Sequence, residues 1–301
     1  MERRACDVQP IKRICAGQRM KRHTMAYGPD TAELLRRLAD ATTDLDVNGL
    51  NITSLPELPA GLQMLACFNT RITSLPELPA GLQRLYCART RITSLPELPA
   101  GLRVLGCSTT PLTALPELPA ELRKLYCCET RITSLPNLPA RLKHLGCSRI
   151  RSLTALPKLP ARLQVLYCWD TPLTSLPKLP AGLRDLCCTG TPLTSLPELP
   201  ATLQYLNCSD TLLTSLPELP AGLKDLSCSG TPLAIHRERD ETIANFNLRW
   251  NEWRDEQASK QRVQTKNRLL KEEIIMEVYR PSRAEKILNT YGYEVFDKWL
   301  E

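Results

Sequence analysis

Residues 81–100 read GLQRLYCARTRITSLPELPA, and this stretch returns with few changes about every twenty residues along most of the chain. The aligned copies share the pattern L-x-x-L-x-C-x-x-T-x-(I/L)-T-x-L-P-x-L-P-A-x. A short fixed period of this kind sets the architecture, because each copy must bury its apolar side chains against its neighbours. The sequence therefore predicts a stack of similar coils.

The pattern is that of a leucine-rich repeat in a 20-residue form. In each copy x-L-x-C-x predicts a short strand whose Leu and Cys point into the core, because side chains alternate along a strand. The two prolines of L-P-x-L-P remove backbone donors and favour an extended return path without a helix. The predicted fold class is a repeat solenoid with a curved parallel β-sheet on the concave face, an extended Pro-rich convex side and C-terminal α-helices.

The chain divides into four predicted segments. These are a basic disordered arm (1–29), an N-terminal capping helix (30–41), a leucine-rich repeat solenoid of about ten coils (42–233) and a helical C-terminal cap or docking tail (234–301). Residues 1–22 carry seven Lys or Arg against two Asp or Glu. Such an arm is either a solvated terminus or a tail for nucleic acid or targeting, and we expect the first.

Both ends of a solenoid need a cover for the apolar surface of the terminal coil. At the N-terminal end, Asp30 and Glu33 have the spacing of a capping box. The apolar stripe that follows them consists of Leu34, Leu35 and Leu38.

The C-terminal segment predicts a second cover. Its aromatic stripe consists of Ile243, Phe246, Trp250 and Trp253, and we expect it to dock on the last coil. Residues 254–268 are almost wholly polar, as in a solvated helix, before Leu270, Ile274 and Val278 resume an apolar stripe. A shorter helix is expected over 282–292. The tail is either a coiled-coil or docking segment or a long cap folded back on the solenoid.

Two columns of the repeat raise a chemical question. The cysteine column holds nine thiols, at Cys67, Cys87, Cys107, Cys127, Cys147, Cys168, Cys188, Cys208 and Cys228. We expect buried core residues, since free cysteine packs as a small hydrophobe; disulfides between neighbouring coils are a second interpretation, and a metal site is a third. In the threonine column the hydroxyls are expected to bond backbone groups. One extra residue between Cys147 and Leu153 predicts a bulge.

No arrangement of catalytic residues is evident in the sequence. Cys128 and Cys187 fall on outward positions, but neither is predicted to have a histidine beside it that could act as a base. Phosphate-binding loops and metalloprotease or serine-hydrolase motifs are absent from the sequence. We therefore expect no enzyme activity, no cofactor and no metal.

The outward strand positions predict a binding surface on the concave face. In one row tyrosines alternate with glycines, which predicts shallow slots between the rings. The candidate partner-binding residues are Phe68, Arg84, Tyr86, Lys124, Tyr126, His144, Tyr167, Trp169 and Tyr205. Tyr, Trp and Arg are enriched where binding energy concentrates in protein interfaces. The competing interpretation is that the tyrosines only cover strand backbone.

The repeat over residues 42–233 resembles the 20-residue leucine-rich repeats of YopM and IpaH type effectors of Gram-negative pathogens, whose coils also read L-P-x-L-P. In the IpaH branch the repeats choose a substrate for an attached ubiquitin-ligase domain with a cysteine nucleophile. Here 68 residues follow Leu233 and none is Cys, so ligase activity is not implied. More faintly, 271–288 resembles a tail on repeat proteins of giant DNA viruses, with Tyr279-Arg280-Pro281 where those commonly read W-H-P.

We therefore expect a non-enzymatic scaffold that binds a protein partner on its concave face, with a second protein partner at the C-terminal helices. The alternative is a substrate-recognition subunit or relic of an effector-type ubiquitin ligase. Nucleic acid is not the expected partner. Residues 1–23 lack the apolar core of a signal peptide, and no run is apolar enough to cross a membrane. The expected location is inside a cell, in the host cytoplasm.

Overall fold

The computed structural model describes residues 29–233 and 241–278. Ten strands follow one another in a single parallel sheet, in the order of the sequence. They are β1 (Asp44–Asp46), β2 (Met64–Ala66), β3 (Arg84–Tyr86), β4 (Val104–Gly106), β5 (Lys124–Tyr126), β6 (His144–Gly146), β7 (Val165–Tyr167), β8 (Asp185–Cys187), β9 (Tyr205–Asn207) and β10 (Asp225–Ser227). Helices α1 (Pro29–Asp40) and α2 (Ile243–Val278) lie on either side of them in the sequence. The predicted leucine-rich repeat solenoid is confirmed.

Neighbouring coils are joined by a backbone ladder that extends beyond the three-residue strands. The Cys87 N–H donates to the Gly106 carbonyl at 2.8 Å, and the Arg89 N–H donates to the Ser108 carbonyl at 2.9 Å. At the other end of the same strand pair, the Val104 N–H donates to the Gln83 carbonyl at 3.1 Å. Equivalent bonds recur from coil to coil, so each coil supplies the hydrogen-bond partners of the next.

The return path contains no helix between residues 47 and 233. Each P-A-x-L segment instead makes a tight turn, as where the Leu82 N–H donates to the Pro79 carbonyl at 3.0 Å. Proline suits the first place of this turn because only its carbonyl is needed there. The expected extended, Pro-rich side is confirmed.

Each coil also makes a left-handed turn two residues after the column cysteine. Glycine occupies this place at Gly190 and Gly230, but most coils use another residue, with φ between 51° and 56°. The non-glycine residues are Asn69, Arg89, Thr109, Glu129, Arg149, Asp170 and Asp210. The backbone N–H at this place donates to the next coil. The ladder therefore holds a left-handed conformation that Gly, Asn and Asp tolerate and that other residue types disfavour.

The core is a set of parallel columns. In one coil Leu82, Leu85, Cys87 and Ile92 are fully buried, and their equivalents in the other coils are buried in the same way. All nine column cysteines are buried, as predicted, and none of the eleven cysteines among the described residues forms a disulfide. Burial raises the pKa of Cys67 and of Cys208 to about 12, because a thiolate would lose its hydration there.

In eight of the ten coils, a threonine hydroxyl bonds to the backbone just after the strand. The Thr90 hydroxyl donates to the Cys87 carbonyl at 2.8 Å, and the same bond recurs in seven further coils, as the sequence predicts. In the coil with the extra residue, Ile150 stands in the threonine place. The predicted bulge is present there, as a turn at Arg151 and Ser152, and the Ser152 hydroxyl donates to the Ile132 carbonyl.

Helix α1 covers the first coil with a narrower stripe than predicted. Leu34 is buried and Leu38 packs against the core, but Leu35 is 45% exposed, so the prediction for Leu35 is wrong. Leu34 and Leu38 lie four residues apart on one face of the helix, and Leu35 is turned about 100° away from Leu34.

Asp30 and Glu33 of α1 form hydrogen bonds other than those of the predicted capping box. Glu33 accepts hydrogen bonds from Arg36 and Arg37, which lower the pKa of its carboxyl to about 2. Asp30 accepts from the Asn51 N–H of the first coil at 3.3 Å. The Arg37 guanidinium donates to the Asp46 carbonyl at 2.8 Å, and thereby satisfies a backbone acceptor on the edge strand β1.

Helix α2 begins by docking on the solenoid and then leaves it. Phe246 and Trp250 are fully buried in the same core as the repeats, and Trp253 packs against them, as predicted; the side chain of Ile243 lies outside the described residues. Residues 257–270 are exposed apart from the half-buried Gln257. The side chains of Ile274 and Val278 and the helix expected over 282–292 lie outside the described residues, as do the arm over 1–28 and the segment 279–288.

Thr109 offers a test of the left-handed turn. A β-branched side chain is strained at its φ of 56°, whereas asparagine tolerates this conformation and occupies the equivalent place at Asn69. We expect Thr109→Asn to raise the free energy of unfolding by about 0.5 to 1 kcal/mol, measured by urea denaturation. Thr133→Asn, at an exposed place outside the turn, is the control and should leave stability unchanged. A fall in stability for Thr109→Asn would contradict the strain argument.

The thiols offer a second test. We expect a soluble alkylating reagent to modify the half-buried Cys128 and Cys187 first and the column cysteines only when the protein unfolds, because the column thiols are buried and protonated. Peptide mapping by mass spectrometry before and after urea assigns each site, and separates Cys6 and Cys15 of the arm. Rapid labelling of Cys107 in the folded protein would contradict the packing of the column.

Candidate partner-binding surface on the strands

The solvent side of the sheet carries three rows of side chains. The first row holds the first residue of each strand, the central row holds the third, and the outer row holds the residue that follows the column cysteine. Strand register aligns Tyr86 with Gly106, Gly106 with Tyr126, and so on along the central row to Tyr167. Arg84, Lys124, His144 and Tyr205 lie in the first row, and Phe68 and Trp169 lie in the outer row. The sheet thus brings all nine predicted residues to one face.

The expected slots between the tyrosine rings are absent at Gly106 and Gly146. A Cβ placed on Gly106 would lie 3.3 Å from Cδ1 of Tyr86, and one on Gly146 would lie 3.1 Å from Cδ1 of Tyr126. Each ring therefore lies over the glycine of the next strand, because the missing side chain leaves room for it there. The result is a half-buried aromatic surface instead of a set of open slots.

Tyr167 has a different neighbour and a different anchor. The next strand presents Cys187 in place of a glycine, and the Tyr167 hydroxyl donates to Oδ2 of Asp185 at 2.7 Å. Burial raises the pKa of the Asp185 carboxyl, and the hydrogen bond from Tyr167 acts against that shift. The pair fixes the ring at the border between the aromatic centre and an acidic end of the face.

Trp169 is partly covered by an arginine. The Arg149 guanidinium lies over the indole, 4.5 Å from the ring centroid, and pairs with Glu129 at 2.8 Å and Asp170 at 3.6 Å. These contacts hold the indole in place and use one of its faces. Phe68 in the outer row is 39% exposed, and Tyr205 in the first row is 43% exposed.

The cationic residues of the first row have unequal surroundings. Arg84 lies 3.6 Å from Asp44, so part of its charge is already balanced. Lys124 is exposed and faces His144 on the next strand. Burial lowers the pKa of His144 below its usual 6.5, and the charges of Lys124 and Lys143 lower it further.

Three cations next to the first row in the sequence were not among the predicted site residues. Arg103, Arg123 and Lys143 stand immediately before the first residues of β4, β5 and β6, at a place that the repeat pattern assigns to the approach to the strand. Their signal in the sequence is a column of the repeat that holds only glutamine, arginine and lysine, with three cations in succession at Arg103, Arg123 and Lys143. This run of cations indicates a charged surface only when it is considered together with the cations of the first row.

His144 makes the stability of this face depend on pH. Its pKa is lower in the folded protein than in the unfolded chain, so the unfolded chain binds the proton more tightly and stability falls as the pH drops below about 6.5. The groups facing it are Lys124 on β5, Val165 on β7 and the preceding Lys143. We expect His144→Gln to lose less stability than wild type between pH 7.5 and pH 5.5 in urea titrations. Identical pH dependence of the two proteins would contradict the assignment.

Comparison with known proteins places the fold. No protein-family model and no curated protein sequence matches the chain. Among solved structures, YopM from Yersinia pestis is 31% identical with a TM-score of 0.66, over 69% of this chain and 62% of that one. YopM from Yersinia enterocolitica is 30% identical with a TM-score of 0.51, over 64% of this chain and 52% of that one. A Shigella effector leucine-rich repeat domain is 25% identical with a TM-score of 0.41, over 70% and 82% of the two chains.

The match to YopM supports the leucine-rich repeat fold. This chain spans 62% and 52% of the two YopM chains. Within residues 29–233 and 241–278, no helix is both long and apolar enough to cross a membrane. The chain is a leucine-rich repeat protein whose 20-residue coils build a solenoid similar to that of YopM.

Proposed function

We propose that the chain is a protein-interaction scaffold that holds a protein partner on the concave side of its sheet. The observation that carries the proposal is the composition of the three rows, where aromatic and cationic side chains stand in register on one surface. In leucine-rich repeats the strands line the concave side of the solenoid. Similarity to YopM, described as a leucine-rich effector protein, supports a binding role for this one.

The aromatic residues suit this role because they are already ordered. Tyr86 and Tyr126 rest on glycines, Tyr167 is bonded to Asp185, and Trp169 lies under Arg149. A partner that packs on these rings meets side chains with little freedom left to lose. The same ordering limits the depth of contact, so we expect a broad, shallow interface without a buried pocket.

An intracellular setting is part of the proposal. The column thiols form no disulfides although neighbouring thiols share one core, which suits a reducing compartment. The effector likeness supports a host cytoplasm as that compartment. No finding supports a viral origin, since the segment that suggested it lies mostly outside the described residues.

A second candidate function rests on α2. The helix leaves the last coil after Trp253, and Val263, Leu269 and Leu270 are 59%, 54% and 45% exposed on its free part. In a substrate-recognition subunit of a ubiquitin ligase, this part would bind the catalytic component while the strands hold the substrate. A chain truncated after Trp253 should then retain the substrate and lose ligase components, whereas a simple scaffold loses nothing from its concave face.

The main test compares partner capture by strand-face variants. Replacing Tyr86, Tyr126 and Tyr167 together with alanine should weaken binding of the strand-face partner, since a central aromatic contributes roughly 2 kcal/mol, or about thirtyfold in Kd. Because these rings also cover backbone, a second variant combines Phe68→Ala with Tyr205→Ala at more exposed places. Captured proteins are identified by mass spectrometry, and the Kd of the leading one is then measured with each variant.

Leu212→Ala is the matched control. Its side chain is apolar and 54% exposed but lies outside the three rows, so its loss should leave the Kd unchanged. Circular dichroism confirms that each variant is folded. Retention of every partner by both folded aromatic variants would sink the concave-face proposal.

A further inference from the structure

We propose that the strand face from β3 to β6 binds an acidic segment of the protein partner. This inference rests on the proposed function and adds the chemical class of the partner. Two permanent cations, Arg84 and Lys124, lie in the first row with His144. Three more, Arg103, Arg123 and Lys143, each stand one residue before the first row, where the chain enters β4, β5 and β6. We call these six residues the basic patch. At a strand spacing of about 4.8 Å, they cover only about 14 Å across the sheet.

Little within the protein balances this charge. Arg84 has an ion pair with Asp44, and the other four permanent cations form no ion pair within the described part of the chain. Glu121, the nearest acid in sequence to Arg123, is already bound to Arg141 at 2.6 Å. Like charges held this close raise the energy of the free protein, and an anionic ligand removes that repulsion.

The borders of the basic patch limit what can bind it. On the β1 side lie Asp44 and Asp46. On the other side the uncharged Gln164 and Val165 stand at the start of β7, and Asp185 on β8 follows Arg184. A nucleic-acid strand carries a negative charge at every nucleotide, so any strand longer than the patch would meet acidic residues at both borders. A short acidic stretch within a protein ends before it reaches them.

The neighbouring central row also favours a peptide. Tyr86 and Tyr126 present half-buried rings in the row beside Arg84 and Lys124, with the ring of Tyr86 over Gly106 and the ring of Tyr126 over Gly146. A segment of about four extended residues spans the patch, and it can place carboxylates on the cations while an apolar or aromatic side chain packs on the rings. Arginine and lysine bind carboxylates through charge-assisted hydrogen bonds.

The experiment measures binding of a labelled peptide by fluorescence anisotropy. The probe is a short flexible peptide rich in Glu and Tyr, and its control has Gln in place of every Glu. We expect the Glu peptide to bind the full chain at least tenfold more tightly than the Gln peptide. Its affinity should fall as salt rises, because exposed charges are screened.

A pair of charge-reversal variants locates the site. Arg123→Glu with Lys124→Glu should weaken the Glu peptide at least tenfold. Arg131→Glu with Arg151→Glu makes the same change in net charge at exposed places in the same region, outside the basic patch, and should change binding less than twofold. None of the four replaced residues forms an ion pair with a described residue, so neither double variant removes an internal ion pair. Circular dichroism checks that both variants are folded.

Three results would overturn the inference. The first is equal binding of the Glu and Gln peptides, and the second is equal weakening of the Glu peptide by the two double variants. The third is that an oligo-dT strand binds more tightly than the Glu peptide at physiological salt and that its binding is also weakened at least tenfold by Arg123→Glu with Lys124→Glu.

The outcome is separable from the main proposal. If aromatic variants lose the captured partner but the reversal of Arg123 and Lys124 does not, the concave face binds a partner of another chemistry. If the acidic peptide binds but aromatic variants keep every partner, the scaffold proposal fails instead.

Discussion

The fold depends on the backbone ladder between successive coils. A three-residue strand is too short to be stable alone, but here each of the eight inner strands, β2 to β9, is hydrogen-bonded to a neighbouring coil on both sides. The ladder continues past the strand into the left-handed turn, and the threonine hydroxyl donates a hydrogen bond to the carbonyl of the column cysteine, as Thr90 does to Cys87. Since every coil needs the same partners at the same places, the repeat must keep its period. The coil with one extra residue returns to register through the bulge at Arg151 and Ser152.

The same period organises the surface. A column in the sequence becomes a row across the sheet, so residues twenty positions apart become neighbours at about 4.8 Å. A modest bias in one column, such as Arg103, Arg123 and Lys143, thus becomes a dense charge cluster. The alternation of side chains along each strand produces both the core and the outer surface. Inward positions are filled by Leu and Cys, and outward positions vary in charge and size.

The ends of the solenoid are closed by two different means. At β1 the exposed edge is met by a polar contact, from Arg37 to the Asp46 carbonyl, with Leu34 packed beneath. At the other end α2 contributes apolar volume, with Phe246 and Trp250 buried in the core and their rings 6.2 Å apart. Each end therefore joins the continuous core, and the free part of α2 begins only after that core is covered.

The sequence by itself determined the solenoid, the inward Leu and Cys columns, the threonine bonds, the bulge and the strand register that gathers Tyr86, Tyr126 and Tyr167, because all of these follow from period and alternation. Only the tertiary structure decided how side chains use the space between coils. The rings of Tyr86 and Tyr126 lie on glycines, Arg149 covers Trp169, and Leu35 turns to solvent. The left-handed turns at Arg89 and Thr109 were also not predicted from the sequence, because neither residue type favours that backbone conformation. Such features depend on what the neighbouring coil presents at a given distance, and a one-dimensional pattern does not contain that information.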